Sequence, residues 1–175
     1  PYVKTWQDFF EAPALQLLLE QSDFRVIFFA HPCVEPYLHR LPFPSFVEKR
    51  SKQQGSIIPI IQRSRIMITD FSSVAFDMAY MHRPVLYYQQ ESKDEFVMHQ
   101  RWKSGYINYE SMGFGPVCKT QQDLINALKK VLNQNCTVEK KYLERIKQTF
   151  PYHDNQCCQR AVSFISQDYR NNGMR

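Results

Sequence analysis

Short apolar runs recur along the first half of the chain and predict the strands of a sheet. Residues 25–30, 65–69 and 84–88 are apolar at most successive positions rather than at alternate ones. That pattern is typical of parallel strands that are covered by helices on both faces. The chain is therefore predicted to be α/β, with an open parallel sheet flanked by helices.

Helical periodicity lies before and between these runs. In segment 5–21, Leu15, Leu18 and Leu19 share one face, which predicts a helix that covers the sheet. Segment 74–82 is predicted to be a helix between the second and third strands. Its strand, helix, strand order favours a parallel, right-handed crossover.

The rest of the chain gives less regular signals. The stretch 32–56 is broken by prolines and is predicted to contain one short helix near 46–53. Thr120, with Asp123 three positions later, marks the start of a helix that runs to residue 132. Two further helices are predicted over 138–150 and 155–169.

The domain organisation follows from length and order. At 175 residues the chain is long enough for one well-buried domain, predicted over 1–169 with a tail at 170–175. A helix before the first strand is an unusual way to begin an open sheet. We therefore expect the sequence to be a fragment of a longer protein.

Composition narrows the classes of function. With 43% hydrophobic residues and no apolar run near the ~20 residues of a membrane-spanning helix, the chain is expected to be globular and cytoplasmic. A net charge of +5 favours an anionic partner, such as a phosphate-rich substrate, an acidic membrane surface or nucleic acid. The five cysteines lack metal-type spacing and are expected to be reduced and structural.

The segment 66–77 carries the most informative chemistry. Ser72 and Ser73 follow a predicted buried strand where a helix begins, and unpaired N–H groups with two hydroxyls at such a place favour a phosphate. Asp77 lies one turn later and could accept hydrogen bonds from ribose hydroxyls. The alternative interpretation is that Asp70 or Ser72 only caps the helix and that Asp77 is a solvated acid.

The dipeptide His31-Pro32 ends the first predicted strand. Ligands of open α/β sheets bind beyond the carboxyl ends of the strands, which makes His31 a second candidate. Its side chain could donate to a phosphate oxygen or protonate a leaving group. A histidine that is hydrogen-bonded to a neighbouring loop is the alternative.

A glycine-containing loop at 113–116 is flanked by Lys103, Tyr106 and Lys119, which could close over a ligand, although solvated surface lysines are much commoner. The sequence contains no Walker-type loop, HExxH, GxSxG or paired CxxC motif. It therefore predicts neither a metal site nor serine-nucleophile chemistry, and no cofactor.

Four motifs within residues 25–132 together resemble the CDP-glycerol glycerophosphotransferases, a family of teichoic-acid primases and polymerases with capsule-polymer relatives. The motifs are Ala30-His31-Pro32, ITDFSSVAFD at 68–77, RPVLYY at 83–88 and GPVCKT at 115–120. The resemblance implies a Rossmann-like domain that forms the carboxy-terminal, donor-binding half of a GT-B architecture.

The resemblance also assigns roles to residues. It implies that His31 contacts the donor diphosphate and assists loss of CMP, and that Ser72 and Ser73 hold the phosphates. Asp77 would bind the glycerol, the ribose or neighbouring polar groups of the donor. The remaining donor-binding residues that these motifs imply are Pro32, Thr69 and Asp70.

The implied reaction is attack by a hydroxyl of a lipid-linked polymer acceptor on the β-phosphorus of CDP-glycerol, which releases CMP. The other histidine of the family lies in the amino-terminal half, so this chain alone is expected to bind donor but hardly turn it over. Peripheral contact with the anionic inner face of the membrane is expected, and a nucleic-acid partner is not.

Three positions depart from the family pattern. Phe71 replaces a tyrosine, Arg65 stands where an acid commonly precedes the strand, and 103–106 reads Lys-Ser-Gly-Tyr instead of Arg-Gly-aromatic. The departures leave open another CDP-polyol, or a nucleotide sugar used by a glycosyltransferase or epimerase of the same fold. Two alternatives belong to other classes of function: a non-catalytic interaction domain and a nucleic-acid-binding module. The sequence contains no recognised nucleic-acid-binding motif.

Overall fold

Two parallel sheets form the centre of the fold in the computed structural model, which describes residues 2–90 and 107–172. Strand β1 pairs with β2, and a second sheet has the order β3, β4, β5. The strands are β1 Val26–Phe29, β2 Val47–Arg50, β3 Met67–Thr69, β4 Val85–Tyr88 and β5 Val117–Cys118. The predicted α/β class with parallel strands is confirmed, but the strands are divided between two sheets.

Helices flank both sheets. They are α1 Tyr2–Phe10, α2 Pro13–Glu20, α3 Ile58–Arg63, α4 Ala75–Tyr80, α5 Tyr109–Met112, α6 Gln121–Asn133, α7 Lys140–Thr149 and α8 Cys157–Asn172, with 3-10 turns at Glu35–Arg40 and Lys52–Gln54. Among the residues that the structure describes, no helix has the length and apolar character needed to cross a membrane.

Two local predictions are wrong. The segment 46–53 forms β2 and a 3-10 turn instead of a helix, because pairing with β1 outweighs the helical preference of its charged residues. The single helix predicted over 5–21 is divided into α1 and α2, and Pro13 begins the second helix since it has no N–H to continue the first. The last helix also extends to Asn172, into the predicted tail.

The predicted parallel pairing of the second and third strands and the predicted helix start are confirmed. β3 and β4 are parallel and are joined through α4, so the strand, helix, strand order is correct. At the start of α6, the Thr120 hydroxyl accepts from the Asp123 N–H at 3.1 Å, and the Asp123 carboxylate accepts from the Thr120 N–H at 3.1 Å. This reciprocal capping fixes the beginning of α6 directly after β5.

Helix α1 joins the two sheets on one face. The ring of Trp6 makes edge-to-face contacts with Phe28 of β1 at 6.2 Å and with Tyr88 of β4 at 5.7 Å between centroids. All three side chains belong to one buried cluster that also includes α6 residues such as Leu124. The sheets are therefore held together through helix packing.

Replacing Thr120 with alanine is expected to lower the free energy of unfolding by about 1 kcal/mol, because the first turn of α6 loses its side-chain acceptor. Urea unfolding followed by circular dichroism measures this change. Thr137 is exposed and makes no side-chain hydrogen bond in the described residues, so Thr137→Ala serves as the control. Equal stability of the two variants would contradict the role of the cap.

Candidate functional site

A groove of about 1640 Å³ separates the two sheets and is lined by both β1 and β3. Its rim at the carboxyl ends of these strands contains six of the seven residues singled out from the sequence: His31, Pro32, Thr69, Asp70, Ser72 and Ser73. The Arg65 guanidinium, just before β3, lies 5.9 Å from the centre of the Phe24 ring, just before β1, so the two strands start side by side. Their carboxyl ends, about forty residues apart in sequence, therefore lie at the same end of the groove. Asp77 is exposed on α4 and does not line the groove, so its role stays a prediction.

The turn after β3 offers free backbone donors at this rim. Within the described residues, the N–H groups of Ser72 and Ser73 have no hydrogen-bond partner. The Ser72 hydroxyl accepts from the Val74 N–H at 3.3 Å, whereas Ser73 is exposed. Because α4 has only six residues, an anion bound here would depend on these amides and the Ser73 hydroxyl more than on a helix dipole.

Two side chains that sequence reasoning missed hold this turn in place. The buried Gln89, one residue past β4, donates to the Asp70 carbonyl at 2.9 Å, and the Tyr109 hydroxyl donates to the Phe71 carbonyl at 3.0 Å. Burial, with the Asp70 carboxylate as the second cause, raises the pKa of Tyr109, so its hydroxyl stays protonated and able to donate. The carbonyls of Asp70 and Phe71 are therefore fixed, while the amides of Ser72 and Ser73 stay free within the described residues.

The carboxylate of Asp70 makes a hydrogen bond within the turn itself. It accepts from the Phe71 N–H at 2.6 Å. Burial first, and this carboxylate second, also raise the pKa of Tyr2 at the start of α1. A negative charge at this position repels phosphate, so the geometry fits Asp70 to shaping the turn, and its direct contact with a ligand stays a prediction.

The side chain of His31 is oriented by the backbone that follows it. Its Nδ1 accepts from the Cys33 N–H at 3.3 Å, which favours the tautomer with hydrogen on Nε2. The side chain is exposed, and Nε2 has no partner in residues 2–90 and 107–172. The loop hydrogen bond that competed with the functional interpretation thus leaves one N–H of His31 available at the groove.

A cation also lies at the rim. Arg50 ends β2 beside the last residues of β1, lines the groove and pairs with Glu48. Sequence reasoning missed it because the segment was assigned to a helix. The turn that follows is held by Ser51 and Gln54, whose side chains satisfy each other's backbone N–H groups.

The histidine, cysteine and acidic side chains of the described residues do not gather at one site. No group of three or more histidine, cysteine or acidic side chains within them could hold a metal ion. The described cysteines are free thiols, and burial raises the pKa of Cys118 to about 11. Cys118 therefore stays a protonated thiol packed in the core.

Comparison with known proteins gives a consistent set of similarities. A model of the CDP-glycerol:poly(glycerophosphate) glycerophosphotransferases matches residues 4–167. The minor teichoic acid biosynthesis protein GgaB of Bacillus subtilis (strain 168) is 34% identical over 83% of the chain, and the teichoic acid ribitol-phosphate primase of Bacillus spizizenii is 24% identical over 87%. The teichoic acid poly(glycerol phosphate) polymerase of Bacillus subtilis (strain 168) is 28% identical over 63%.

The matched region is a small part of each of these relatives. It covers 15% of GgaB, 37% of the ribitol-phosphate primase and 14% of the polymerase. No solved structure gives a significant match.

Proposed function

Because this chain belongs to the CDP-glycerol:poly(glycerophosphate) glycerophosphotransferase family, we propose that it binds the nucleotide donor in a polyol-phosphate transfer. The donor is CDP-glycerol or a similar CDP-polyol, the acceptor is a cell-surface polymer such as a teichoic acid or a capsule polymer, and CMP is released. The chain acts within a longer transferase that supplies the acceptor side.

One observation carries this proposal. The free Nε2 of His31 and the free amides of Ser72 and Ser73 lie at the same end of one groove, at the carboxyl ends of parallel strands. Open α/β sheets bind nucleotides at this position. Neutral N–H and O–H donors from two sides suit a diphosphate, whose charge is spread over several oxygens.

The proposed chemistry needs little from the protein beyond positioning and charge stabilisation. The acceptor hydroxyl attacks the β-phosphorus and gives its proton to a base that the rest of the longer transferase supplies. The bond from that phosphorus to the bridging oxygen breaks, and CMP leaves with the electron pair. The amides of Ser72 and Ser73 and the Ser73 hydroxyl hold phosphate oxygens, while the Nε2–H of His31 donates to an oxygen that gains charge.

The wider setting of the reaction is also proposed. The domain is the carboxy-terminal half of a GT-B architecture, and its acceptor is lipid-linked, so the transferase contacts the inner face of the membrane peripherally. Exposed lysines on α7, Lys140 and Lys147, could face anionic lipids. Arg145 on the same helix donates to the Gly113 carbonyl at 2.8 Å and has a structural task instead.

Calorimetry with the purified chain tests the donor site. CDP is expected to bind in preference to UDP and GDP. Ser73→Ala is expected to weaken CDP binding by about 1–2 kcal/mol, which is roughly 5- to 30-fold in Kd, because a charge-assisted hydrogen bond is lost. The control is Ser163→Ala, on an exposed position of α8.

Two results would contradict the proposal. Stronger binding of UDP or GDP than of CDP would remove the cytidine assignment. Unchanged CDP affinity in Ser73→Ala would remove the turn after β3 from the site.

A further inference from the structure

We propose that the groove between the two sheets takes one additional β-strand, parallel to β1 and β3, from a segment of the longer polypeptide that leads into α1. The added strand would join the two sheets into one. This inference rests on backbone geometry and is independent of the donor site.

The facing edges of β1 and β3 both have unpaired backbone groups. Successive residues of a strand direct their N–H and C=O groups to opposite neighbours. The Ala30 N–H donates to the Arg50 carbonyl of β2 at 2.8 Å. Ile27 and Phe29, at odd spacings from Ala30, therefore direct their N–H and C=O groups away from β2 and into the groove.

The same reasoning applies to the other wall. The Met67 N–H donates to the Pro84 carbonyl at 3.0 Å, so the backbone groups of Ile66 and Ile68 face away from β4. By this register, and among the hydrogen bonds of the residues that the structure describes, the N–H groups of Ile66, Ile68, Ile27 and Phe29 have no acceptor. Because Arg65 before β3 lies over the ring of Phe24 before β1, the two open edges run in the same direction. They form a template for a strand that is hydrogen-bonded on both sides.

The exposure of the side chains of β1 and β3 also indicates that a strand occupies the groove. β4 is buried at all four positions, whereas β1 and β3 are buried at one position each, and Ile27 is 37% exposed. Their sequences are nevertheless as apolar as expected for interior strands. An apolar, extended segment would cover them, and a groove of about 1640 Å³ is larger than the ~300–1,000 Å³ typical of small-molecule sites.

Helix α1 begins where such a strand would end. Its first described residue, Tyr2, lies beside Asp70 at the carboxyl end of β3, and the Thr5 hydroxyl donates to Gln90 just beyond β4 at 3.1 Å. From there α1 and α2 lead back to the start of β1. A strand in the groove followed by α1, α2 and β1 is therefore a parallel crossover unit.

The resulting strand order supports this placement. With the added strand counted first, the sheet reads 3-2-1-4-5-6, the order of doubly wound nucleotide-binding folds. The point where the order reverses would lie at the groove, directly below His31 and Ser72. Relatives of this chain are much longer than the region they share with it, so additional polypeptide is present in such proteins.

Hydrogen exchange measured by NMR on the 175-residue protein tests the proposal. The amides of Ile27, Phe29 and Ile68 are expected to exchange at least about 100-fold faster than those of Phe28 and Tyr87, which lie in ladders. An acetylated, amidated peptide of sequence Lys-Val-Ile-Val-Tyr-Val-Lys is then added at about millimolar concentration. It is expected to slow exchange at the three groove-facing amides by about 10-fold or more and to leave Tyr87 unchanged.

Matched peptides and variants complete the test. A peptide with its central Val replaced by Pro cannot donate at that position and is expected to give no protection. Ile27→Pro removes a groove-facing donor but keeps the hydrogen bonds from β1 to β2, so the first peptide is expected to give this variant no protection. In the control, Ile27→Val, the donor is present and the protection is expected to remain. Slow exchange at the groove-facing amides of the free protein, absence of protection by the first peptide, or equal protection by both peptides would overturn the proposal.

Discussion

Replacing His31 with alanine is expected to lower turnover of the full-length transferase by about 10²- to 10³-fold, the usual cost of losing a preorganised donor to a developing negative charge. The structure gives the reason: Nδ1 accepts from the Cys33 N–H, and the remaining N–H on Nε2 is free at the rim of the groove. A neutral histidine in this tautomer suits donation to a phosphate oxygen. The measurement is the rate of CMP release from CDP-glycerol at saturating acceptor.

His31→Gln separates hydrogen bonding from proton transfer. Glutamine can donate an N–H but cannot act as an acid, so it is expected to restore turnover to within roughly 10-fold of the unchanged enzyme if donation is the main task. The matched control is His39→Ala, because His39 is exposed and lies outside the lining of the groove. Unchanged rates in His31→Ala would exclude His31 from the mechanism, and a glutamine variant as slow as alanine would favour proton transfer.

Replacing Gly115 with alanine is expected to lower the free energy of unfolding by about 2–4 kcal/mol. A Cβ at this position would lie 1.6 Å from the carbonyl oxygen of Val85, and its nearest neighbours are all backbone atoms of Val85, so no flexible side chain can move aside. β5 would have to separate from β4, which weakens the bonds from the Tyr87 N–H to Pro116 and from the Gln89 N–H to Cys118. Urea unfolding measures the loss.

The effect of Gly115→Ala should also reach the donor site. Gln89 is held by β5 through its backbone and holds the Asp70 carbonyl through its side chain, so displacement of β5 loosens the turn at 70–73. We expect weaker CDP binding even where the variant remains folded. Ser111→Ala, at an exposed position of α5, is the control and is expected to change stability by less than about 0.5 kcal/mol. An unfolding midpoint equal to that of the unchanged protein would show that β4 and β5 can separate at little cost.

The turn after β3 shows how two competing interpretations of one motif can both apply. Asp70 and Ser72 use side-chain oxygens to accept from the N–H groups of Phe71 and Val74, as structural capping requires. The N–H groups of Ser72 and Ser73 remain unpaired in the described residues, as an anion site requires. Within these four residues, side-chain oxygens stabilise the turn, whereas backbone N–H groups are left for the proposed ligand.

The sequence by itself determined the features that depend on neighbouring residues. Apolar runs predicted β1, β3 and β4, the intervening helix predicted parallel pairing of β3 and β4, and Thr120 with Asp123 predicted the start of α6. Each of these signals acts within a few residues, through side-chain periodicity or capping, so the local pattern was enough.

Only the tertiary structure decided the features that join distant segments. Residues 47–50 form a strand because β1 is available to pair with them, and Gln89 and Tyr109 clamp the turn after β3 across 19 and 38 residues. The same holds for the groove, since apolar runs predict strands but cannot specify which edges stay unpaired. Such contacts depend on the relative positions of whole elements, and no local pattern of side chains encodes those positions.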